Sequence, residues 1–480
     1  MTRASLSFIL RRAEGAAFAL LLVLLVPGLL IASAARLARG RAAARRWPAM
    51  LAASVRRWGK FLAHGLRPVR EAWWPAMSYE PPLNVWRYVF LLELFDLVNV
   101  AGADRAPAEP GERARALVVK LAHVGDALHI GPSLRALREQ RPGWALDLVA
   151  GPWCEALVRK IPYVAESVPY APRLVLFNRG RGERGLSLAG EAAFLWRLRR
   201  RRYDWLFSTS VTSLVEVCLI QAARPALWVG AAHDAGLWYP FSEARTRPYT
   251  SRQYEAQRIA DLLPLIGVRA PRAELEYWLT DTERAEAARR LAEAGLRAPV
   301  VAVAPGAGWP GKLWPVERFA ELADRLAERQ HASILLLGSP GERELAEQMK
   351  SRMRRPALNL AGQTTLDQMA ALLAESDLLV GNDSAPMHFA VAAGTPALCL
   401  FGPTSRPQWG PPEGGPHRVL QAPKLCFDCH PFHPRATCHD DRSCMKSLSV
   451  DAVADAAEAM LRDTSHVRDR GIHDVPVRPG

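Results

Sequence analysis

The chain has 480 residues, which is too long for one ordinary domain and indicates two or three. Hydrophobic residues make up 49% and charged residues 23%, a globular composition that excludes a disordered chain, a collagen-like chain and a multi-span transporter. The net charge of +14 is uneven, because residues 1–115 hold 17 basic and 8 acidic side chains. A basic region beside a membrane explains this better than a chain-wide surface for nucleic acid, so no nucleic-acid partner is expected.

The N-terminal region, 1–112, contains a stretch that is long enough to cross a bilayer. Residues 16–35 read AAFALLLVLLVPGLLIASAA, about 20 residues without a charge. A cleaved signal peptide is the alternative, since Ala32, Ser33 and Ala34 resemble a cleavage site. More arginines follow the stretch than precede it, and the positive-inside bias then places the body in the cytoplasm. We therefore predict a single N-terminal membrane anchor with a cytoplasmic body.

The rest of this region and the C-terminal tail carry weaker signals. Residues 47–100 interleave Trp with Arg and Lys, which is typical of a membrane interface, although a plain helical extension fits nearly as well. Within them, 88–100 predicts an amphipathic helix, on the membrane or packed on the body. Residues 101–112 resemble a linker, and 465–480 predict a disordered tail.

The body alternates short apolar runs with helical stretches, which predicts parallel sheets covered by helices. Predicted strands in its second half, each followed by a Gly-, Pro- or polar-rich loop, are 300–304, 333–337, 358–360, 378–380 and 397–401. The simplest architecture that explains this alternation is α/β, with two facing Rossmann-like domains at 113–285 and 286–464. Neither half carries G-x-G-x-x-G or a P-loop, which disfavours a dehydrogenase or an NTPase.

Two loops carry the first candidate residues. Asp126 follows Gly125 where a helix begins, and the loop alone favours a helix cap over a general base. Ser384 begins another helix, whose free N–H groups attract anions. Lys312 is a surface residue or a positive charge for such an anion, and Asp383 can cap the helix or hold sugar hydroxyls.

Two further features in the second half of the chain have both a structural and a functional interpretation. His388 lies one helical turn after Ser384, so it can face the same ligand or simply pack. The loop of Gly402, Pro403 and Thr404 is a turn by default and a diphosphate-facing loop if ligands bind at the strand ends.

Four sequence blocks together resemble a known family. They are VVKLAHVGDALHIGPSLRALR at 118–138, APGAGWPGKLWPVERF at 304–319, LLGSPGERE at 336–344, and 360–403 with GNDSAPMH. In this order and spacing they resemble glycosyltransferase family 9, the bacterial lipopolysaccharide heptosyltransferase family, over about residues 113–465. The departure is at Ala307 and Gly308, where family members often have Thr or Ser.

The resemblance implies a GT-B fold and an inverting, metal-independent glycosyltransferase. The donor would be a nucleotide-diphosphate sugar, ADP-heptose, and the acceptor a lipopolysaccharide core or another lipid-linked glycan, at the cytoplasmic face of the bacterial inner membrane. Asp126 matches the catalytic base, and Lys312 matches the lysine that neutralises the leaving diphosphate. Donor-binding positions match Gly125, Glu342, Met369, Asp383, Ser384, Ala385, His388, Gly402, Pro403 and Thr404. Glu342 matches the acidic residue near the ribose, and Met369 lines the base pocket.

Seven cysteines fall into two groups. Cys154, Cys218 and Cys399 lie among apolar neighbours, which predicts buried small side chains. Within 426–444 lie Cys426, Cys429, Cys438 and Cys444. Their spacing permits a structural zinc site, but free thiols remain an alternative in a reducing cytoplasm. No cofactor is expected for catalysis, and similar Cys-rich segments in the family suggest a structural staple.

Two other functions remain open from the sequence. A catalytically silent, membrane-bound glycan- or nucleotide-sugar-binding protein of the same fold is one, although Asp126, Lys312 and Asp383 together favour the enzyme. A nucleotide-sugar epimerase is the other, and the Gly125–Asp126 pair argues against it.

Overall fold

The computed structural model describes Leu91 and residues 111–172, 186–211, 214–232, 243–248, 250–423 and 443–464. They divide into two compact units. The larger unit contains Glu112–Tyr170, Phe207–Thr209 and the residues from Thr246 onward, and the smaller unit contains Ala171–Leu206 and Ser210–Arg245.

The first sheet of the larger unit is built on β1 (Ala114–Lys120), whose Val- and Leu-rich run is buried from Ala116 onward. The next elements are α1 (Val124–Ala127), α2 (Gly131–Gln140), β2 (Trp144–Ala150), α3 (Glu155–Lys160) and β3 (Glu166–Pro169). β1 pairs in parallel with β2, and β2 pairs in parallel with β3. The predicted strand–helix–strand alternation is confirmed for this part of the chain.

The smaller unit has two helices that pack on one another, α4 (Leu188–Arg200) and α5 (Leu214–Ala223). Its strands are β4 (Trp205–Val211), of which residues 207–209 belong to the larger unit, β5 (Leu227–Ala232) and the first half of β6 (Glu243–Pro248). The stretch at 202–208 predicts a strand from its sequence, and the strand in the structure begins three residues later, at Trp205. Arg202 has a φ of 54°, a left-handed backbone that a strand does not adopt.

The second sheet lies wholly in the larger unit, after α6 (Glu255–Ala260) and α7 (Asp281–Glu293). Its strands are β7 (Val300–Ala304), β8 (Ser333–Leu336), β9 (Ala357–Asn359), β10 (Leu378–Asn382), β11 (Ala397–Phe401) and β12 (Arg418–Gln421). Its helices are α8 (Val316–Arg329), α9 (Arg343–Arg352), α10 (Leu366–Ala374), α11 (Ala385–Ala392), α12 (Arg406–Trp409), α13 (Ser443–Lys446) and α14 (Val450–Thr464). The strands are parallel, in the order β12-β11-β10-β7-β8-β9.

This strand order creates a ligand position. The chain runs outward from β7 through β8 and β9, then returns to β10 on the other side of β7. In open parallel sheets, ligands bind at the carboxyl ends of the strands where the order reverses. The loops after β7 and β10 therefore flank the expected binding position.

The core beneath this sheet fixes the loop after β7. Trp314 is fully buried, and its ring lies edge-on to Phe319 of α8 with centroids 4.8 Å apart. Its indole Nε1 donates to the carbonyl of Leu448 at 3.0 Å. Burial of each such side chain stabilises the fold by about 1.5–3 kcal/mol. Because Trp314 is held by packing and a hydrogen bond, the loop that carries Lys312 has a fixed end.

Several predictions fall outside the described residues. These are the anchor at 16–35, the helix at 88–100 apart from Leu91, and the tail at 465–480. Within the described part of the chain, no helix is long and apolar enough to cross a membrane. Cys154, Cys218 and Cys399 are buried, as predicted.

Candidate active site

Asp126 lies in the short helix α1, directly after β1. His123 stands at the N-cap position of this helix, so Asp126 is its third residue and not its cap. The cap that the loop alone favoured is therefore wrong. The Asp126 carboxylate is 26% exposed, and its Oδ2 lies 3.5 Å from Nδ1 of His123. A partly exposed carboxylate that caps nothing is free to accept a proton from a ligand.

The charge state of Asp126 is set by three histidines. Burial alone would raise the pKa of the Asp126 carboxyl, but His123, His388 and His129 together hold that pKa well below its ordinary value. Asp126 is therefore ionised at neutral pH, the state that a general base requires.

Gly125 brings this loop into contact with the start of α11. A Cβ at Gly125 would stand 3.0 Å from both the Ala385 Cα and the His388 Cδ2, closer than side chains normally pack. The absence of a side chain therefore permits the approach. Asp126 belongs to one sequence motif and Ala385 and His388 to another, and the structure brings the two motifs together.

The N-terminus of α11 is open to an anion. Ser384 occupies the N-cap position but makes no side-chain cap bond, and its hydroxyl donates instead to the carbonyl of Asn382 at 3.3 Å. The first N–H groups of a helix carry a partial positive charge. Pro386 has no N–H, and the N–H of Met387 donates to the carbonyl of Ser384 at 3.1 Å, so the N–H of Ala385 is the group in this turn that can donate to a phosphate.

Lys312 and Asp383 form an ion pair beside this helix. The Lys312 Nζ lies 2.8 Å from Oδ2 of Asp383 and 3.4 Å from its carbonyl oxygen. Burial alone would raise the pKa of Asp383, but the charges of Lys312 and His388 and the hydrogen bond from Lys312 together lower that pKa. Lys312 is 22% exposed and Asp383 is 4% exposed. Of the two interpretations of Lys312 from the sequence, a solvated surface residue is therefore the one that the structure disfavours.

Sequence reasoning missed Asn382, the residue that holds the lysine loop. Its amide nitrogen donates to the carbonyl of Pro305 at 2.8 Å, and its amide oxygen accepts from the N–H of Trp314 at 3.1 Å. Asn382 is fully buried at the end of β10. Both ends of the loop are thus hydrogen-bonded to the side chain of Asn382. The signal in the sequence was an Asn directly after an apolar strand, since a buried polar side chain needs hydrogen-bond partners.

Glu342 lies at the neighbouring strand exit, after β8. Its Oε2 accepts from the backbone N–H of Ser339 at 2.7 Å, which fixes the carboxylate. A Cβ at Gly306 would overlap this carboxylate, so Gly306 allows the loop after β7 to lie against Glu342. The Glu342 carboxylate and the lysine loop are therefore adjacent.

The remaining predicted positions lie in two places. Met369 is 6% exposed in α10, and the loop of Gly402, Pro403 and Thr404 follows β11. Gly402 packs on Met445 and Cys444, and its carbonyl accepts from the side chain of Gln421 at 2.6 Å. The donor-binding roles of these residues stay predictions.

The cysteine site is described for only one of its four members. Cys444 is buried, and its sulfur lies close to Gly402 in the loop after β11. Cys426, Cys429 and Cys438 lie outside the described residues. In the part of the chain that the structure describes, no group of three or more His, Cys, Asp and Glu side chains is arranged to hold a metal ion.

A buried histidine that the sequence did not single out lies behind Asp126. The His129 ring packs edge-on to His388, with centroids 4.8 Å apart, and its Nδ1 lies 3.3 Å from the carbonyl oxygen of Asp126. Its Nε2 is buried without a hydrogen-bond partner in the described structure. Burial first, and then the charges of His388 and Lys120, lower the pKa of His129 from 6.5 to about 3.

The low pKa of His129 predicts a pH-dependent stability. As pH falls from 6.5 towards 3, the unfolded chain binds this proton and the folded chain does not, so stability is lost in that window. His129→Phe should make this loss shallower, as measured by urea unfolding from pH 8 to pH 4. His331→Asn, at an exposed histidine, is the control and should keep the wild-type profile. An unchanged slope in His129→Phe would contradict the assignment.

A buried ion network supports the end of β1. Glu255 Oε1 accepts from Lys120 Nζ at 2.9 Å and from Arg258 Nη2 at 2.7 Å. Arg258 Nη1 also donates to the carbonyl of Thr209 at 2.8 Å. Burial alone would raise the pKa of Glu255, but Lys120 and Arg258 hold it below its ordinary value. Lys120 and Glu255 are 135 residues apart, so no local motif could reveal the network.

Glu255→Gln should therefore be strongly destabilising. The change leaves two buried cations without a counter-charge, which costs about 3–5 kcal/mol of unfolding free energy. Urea unfolding at pH 7 measures it. Glu286→Gln, which removes an exposed ion pair with Arg289, is the matched control and should leave the unfolding midpoint unchanged. Equal midpoints for the two variants would refute the network's role.

The sequence of the chain is similar to a family model and to several named enzymes. Residues 193–422 match the family model "Glycosyltransferase family 9 (heptosyltransferase)". Lipopolysaccharide heptosyltransferase 2 of Salmonella typhimurium is 27% identical over 326 residues, 64% of this chain and 87% of the relative. Lipooligosaccharide heptosyltransferase 2 of Haemophilus ducreyi is 29% identical over 316 residues, 62% of this chain and 85% of the relative.

Solved structures show the same fold. A family 9 glycosyl transferase from Veillonella parvula superposes with a TM-score of 0.60 at 21% identity, covering 74% of this chain and all of that one. The ADP-heptose lipopolysaccharide heptosyltransferase II of E. coli gives a TM-score of 0.56 at 21% identity, covering 73% and 99%. The resemblance stated from the sequence blocks is thereby confirmed.

Proposed function

We propose that the chain is a member of glycosyltransferase family 9 and that it transfers heptose from ADP-heptose to a lipopolysaccharide core or another lipid-linked glycan. The transfer inverts the anomeric carbon and needs no metal. Its two catalytic groups are Asp126 and Lys312. The relatives named as heptosyltransferases support the sugar, and the one named for ADP-heptose supports the nucleotide.

One observation carries the proposal: both catalytic groups converge on the start of α11. Asp126 reaches it through the close contact of Gly125 with Ala385 and His388. Lys312 reaches it through its ion pair with Asp383, the residue before the N-cap. A carboxylate base and an anion site with a lysine thus lie at one place. Inverting transfer from a diphosphate donor can use this combination, because the base takes the acceptor proton and the positive charge stabilises the leaving group.

The reaction then follows from these positions. The acceptor hydroxyl gives its proton to the Asp126 carboxylate as its oxygen attacks the anomeric carbon of the donor. A new C–O bond forms on one face while the bond to the diphosphate breaks on the other, which inverts the carbon. The electron pair leaves with the diphosphate, whose charge is stabilised by Lys312 and the N–H of Ala385 at the start of α11.

Lys312 must change partner during this reaction. Its charge is neutralised by Asp383 in the structure. A bound diphosphate attracts the lysine, and Asp383 then accepts hydrogen bonds from sugar hydroxyls. The charge of Lys312 and the α11 dipole supply the positive potential that a metal supplies in other transferases.

The remaining positions would bind the nucleoside and the diphosphate. The Glu342 carboxylate accepts from the ribose hydroxyls, and Met369 lines the base pocket. The loop of Gly402, Pro403 and Thr404 faces the diphosphate. At Ala307 and Gly308, backbone N–H groups take the place of hydroxyls that relatives supply from Thr or Ser.

The proposal extends to location and domains. The body adopts the two-domain GT-B arrangement, 113–285 for the acceptor and 286–464 for the donor. The apolar stretch at 16–35 anchors the chain in the inner membrane, with the body at the cytoplasmic face. A lipid-linked acceptor and an anchored enzyme then meet in one plane.

Donor binding tests the proposal. The purified full chain is heated with ADP-heptose, ADP-glucose or UDP-glucose. A ligand at 100 times its Kd stabilises the folded state by about 2.7 kcal/mol, which a thermal shift resolves. ADP-heptose should shift the transition of the wild type and not that of Lys312→Ala. A shift by another donor alone would overturn the heptose assignment, and no shift with any donor would overturn the donor site.

A further inference from the structure

Helix α4 presents an unusual exposed stripe. Among the described residues, Trp196 is the one large apolar side chain that is highly exposed, at 48%. The other exposed positions of the helix are Ala189, Ala193, Arg197 and Arg200. Spacings of three and four residues place all five on one face. The stripe is thus a Trp flanked by two arginines on one side and by two small residues on the other.

The orientation of this stripe is fixed by the opposite face. Phe194, Leu195 and Leu198 are buried, and α4 packs on α5. The Ser187 hydroxyl caps the helix by accepting from the N–H of Gly190 at 3.1 Å. The Arg197 guanidinium lies over the Phe194 ring, 5.8 Å from its centroid. Rotation that would bury Trp196 would expose three core residues, so its exposure is built into the fold.

The sequence that follows Trp196 is strongly basic. Arginine occupies five of the six positions from 197 to 202, and no acidic residue lies between Glu191 and Asp204 in the sequence. A solvated helix face usually mixes both signs. The exposed Arg197 and Arg200 beside an exposed indole instead complement a surface that is anionic and has an apolar layer beneath.

We propose that the exposed stripe of α4 docks on a bilayer surface that contains anionic phospholipid. The Trp196 ring would enter the headgroup boundary, where an amphipathic ring finds both apolar and polar partners. Arg197 and Arg200 would pair with lipid phosphates through their planar guanidinium groups. Ala189 and Ala193 allow the helix to approach the surface closely.

This contact is separate from the proposed anchor and from the donor site. An anchor at 16–35 would hold one end of the chain on the membrane, whereas the stripe would hold the smaller unit against its surface. Each arginine near an anionic surface raises the affinity for the membrane by about fivefold, so loss of Arg197 and Arg200 together should lower that affinity by about 25-fold. The contact should also weaken with salt, since a Debye length is about 8 Å at physiological ionic strength.

The test uses photo-crosslinking in the full chain on vesicles, because a local readout is insensitive to binding through the N-terminus. The photoreactive residue p-benzoylphenylalanine replaces Trp196 in one protein and buried Phe194 in the matched control. Vesicles are phosphatidylethanolamine with phosphatidylglycerol, or phosphatidylcholine alone. Lipid adducts are quantified by mass spectrometry after illumination.

The expected result is a lipid adduct from position 196 on phosphatidylglycerol vesicles, several-fold above phosphatidylcholine, with little adduct from position 194. Arg197→Gln with Arg200→Gln should lower the yield at 196 by more than tenfold. Equal yields from both positions, or a yield indifferent to phosphatidylglycerol and to the arginines, would overturn the proposal. A protein–protein adduct in place of lipid would identify a second copy as the occupant and would also overturn it.

Discussion

Asp126→Asn is expected to lower kcat by about 10²- to 10⁴-fold, the usual contribution of a positioned general base. The amide keeps the size of the carboxylate but accepts no proton at neutral pH. The side chain is 26% exposed and caps no helix, so its loss should not be a loss of structure. Initial rates of sugar transfer from ADP-heptose measure the effect.

Two controls distinguish catalysis from binding for this variant. Asp126→Asn should keep the wild-type thermal shift with the donor, because Asp126 would act on the acceptor hydroxyl. Asp126→Glu should recover part of the rate, since it restores a carboxylate. Retention of wild-type kcat by Asp126→Asn would contradict its role as base.

Lys312→Ala is expected to have the second-largest effect, a fall in kcat of about 10²- to 10³-fold, as for other groups aimed at developing charge. The donor should also bind more weakly, because the diphosphate loses its cation. Single-turnover rates at saturating donor separate the two effects. Wild-type single-turnover rates with normal donor affinity would contradict the assignment.

The Lys312 variant has a structural side effect that needs its own control. Asp383 is 4% exposed, and Lys312→Ala leaves its charge without a partner. Lys312→Ala with Asp383→Asn removes that unpaired charge. The double variant should regain the thermal stability lost by the single variant and stay inactive. Recovery of transfer in the double variant would show that the buried charge, and not the missing cation, caused the defect.

The strands of the second sheet were predictable because their runs are short, apolar and flanked by turn residues. The predicted strands at 300–304 and 397–401 coincide with β7 and β11. A buried parallel strand must be apolar on both faces, so it stands out without any partner being known. The order of the strands in the sheet is not local, and only the tertiary structure gives it.

The candidate site was predictable only where the chain has motif residues at strand ends. Lys312 and Asp383 were both candidates, but their ion pair joins positions 71 residues apart. His129 and Glu255 were missed because a buried histidine or carboxylate has no signature in its neighbours. The wrong cap at Asp126 has a similar cause. The sequence of this short loop does not reveal that the helix begins at Val124, with His123 at the N-cap position.

The most direct test of the central claim is transfer itself. The full chain is incubated with ADP-heptose and a lipopolysaccharide-core acceptor in the presence of EDTA, and the anomeric configuration of the product is read by NMR. The account predicts turnover in EDTA with inversion at the anomeric carbon. Retention of configuration, abolition of turnover by EDTA, or absence of transfer by a folded protein that binds the donor would contradict it.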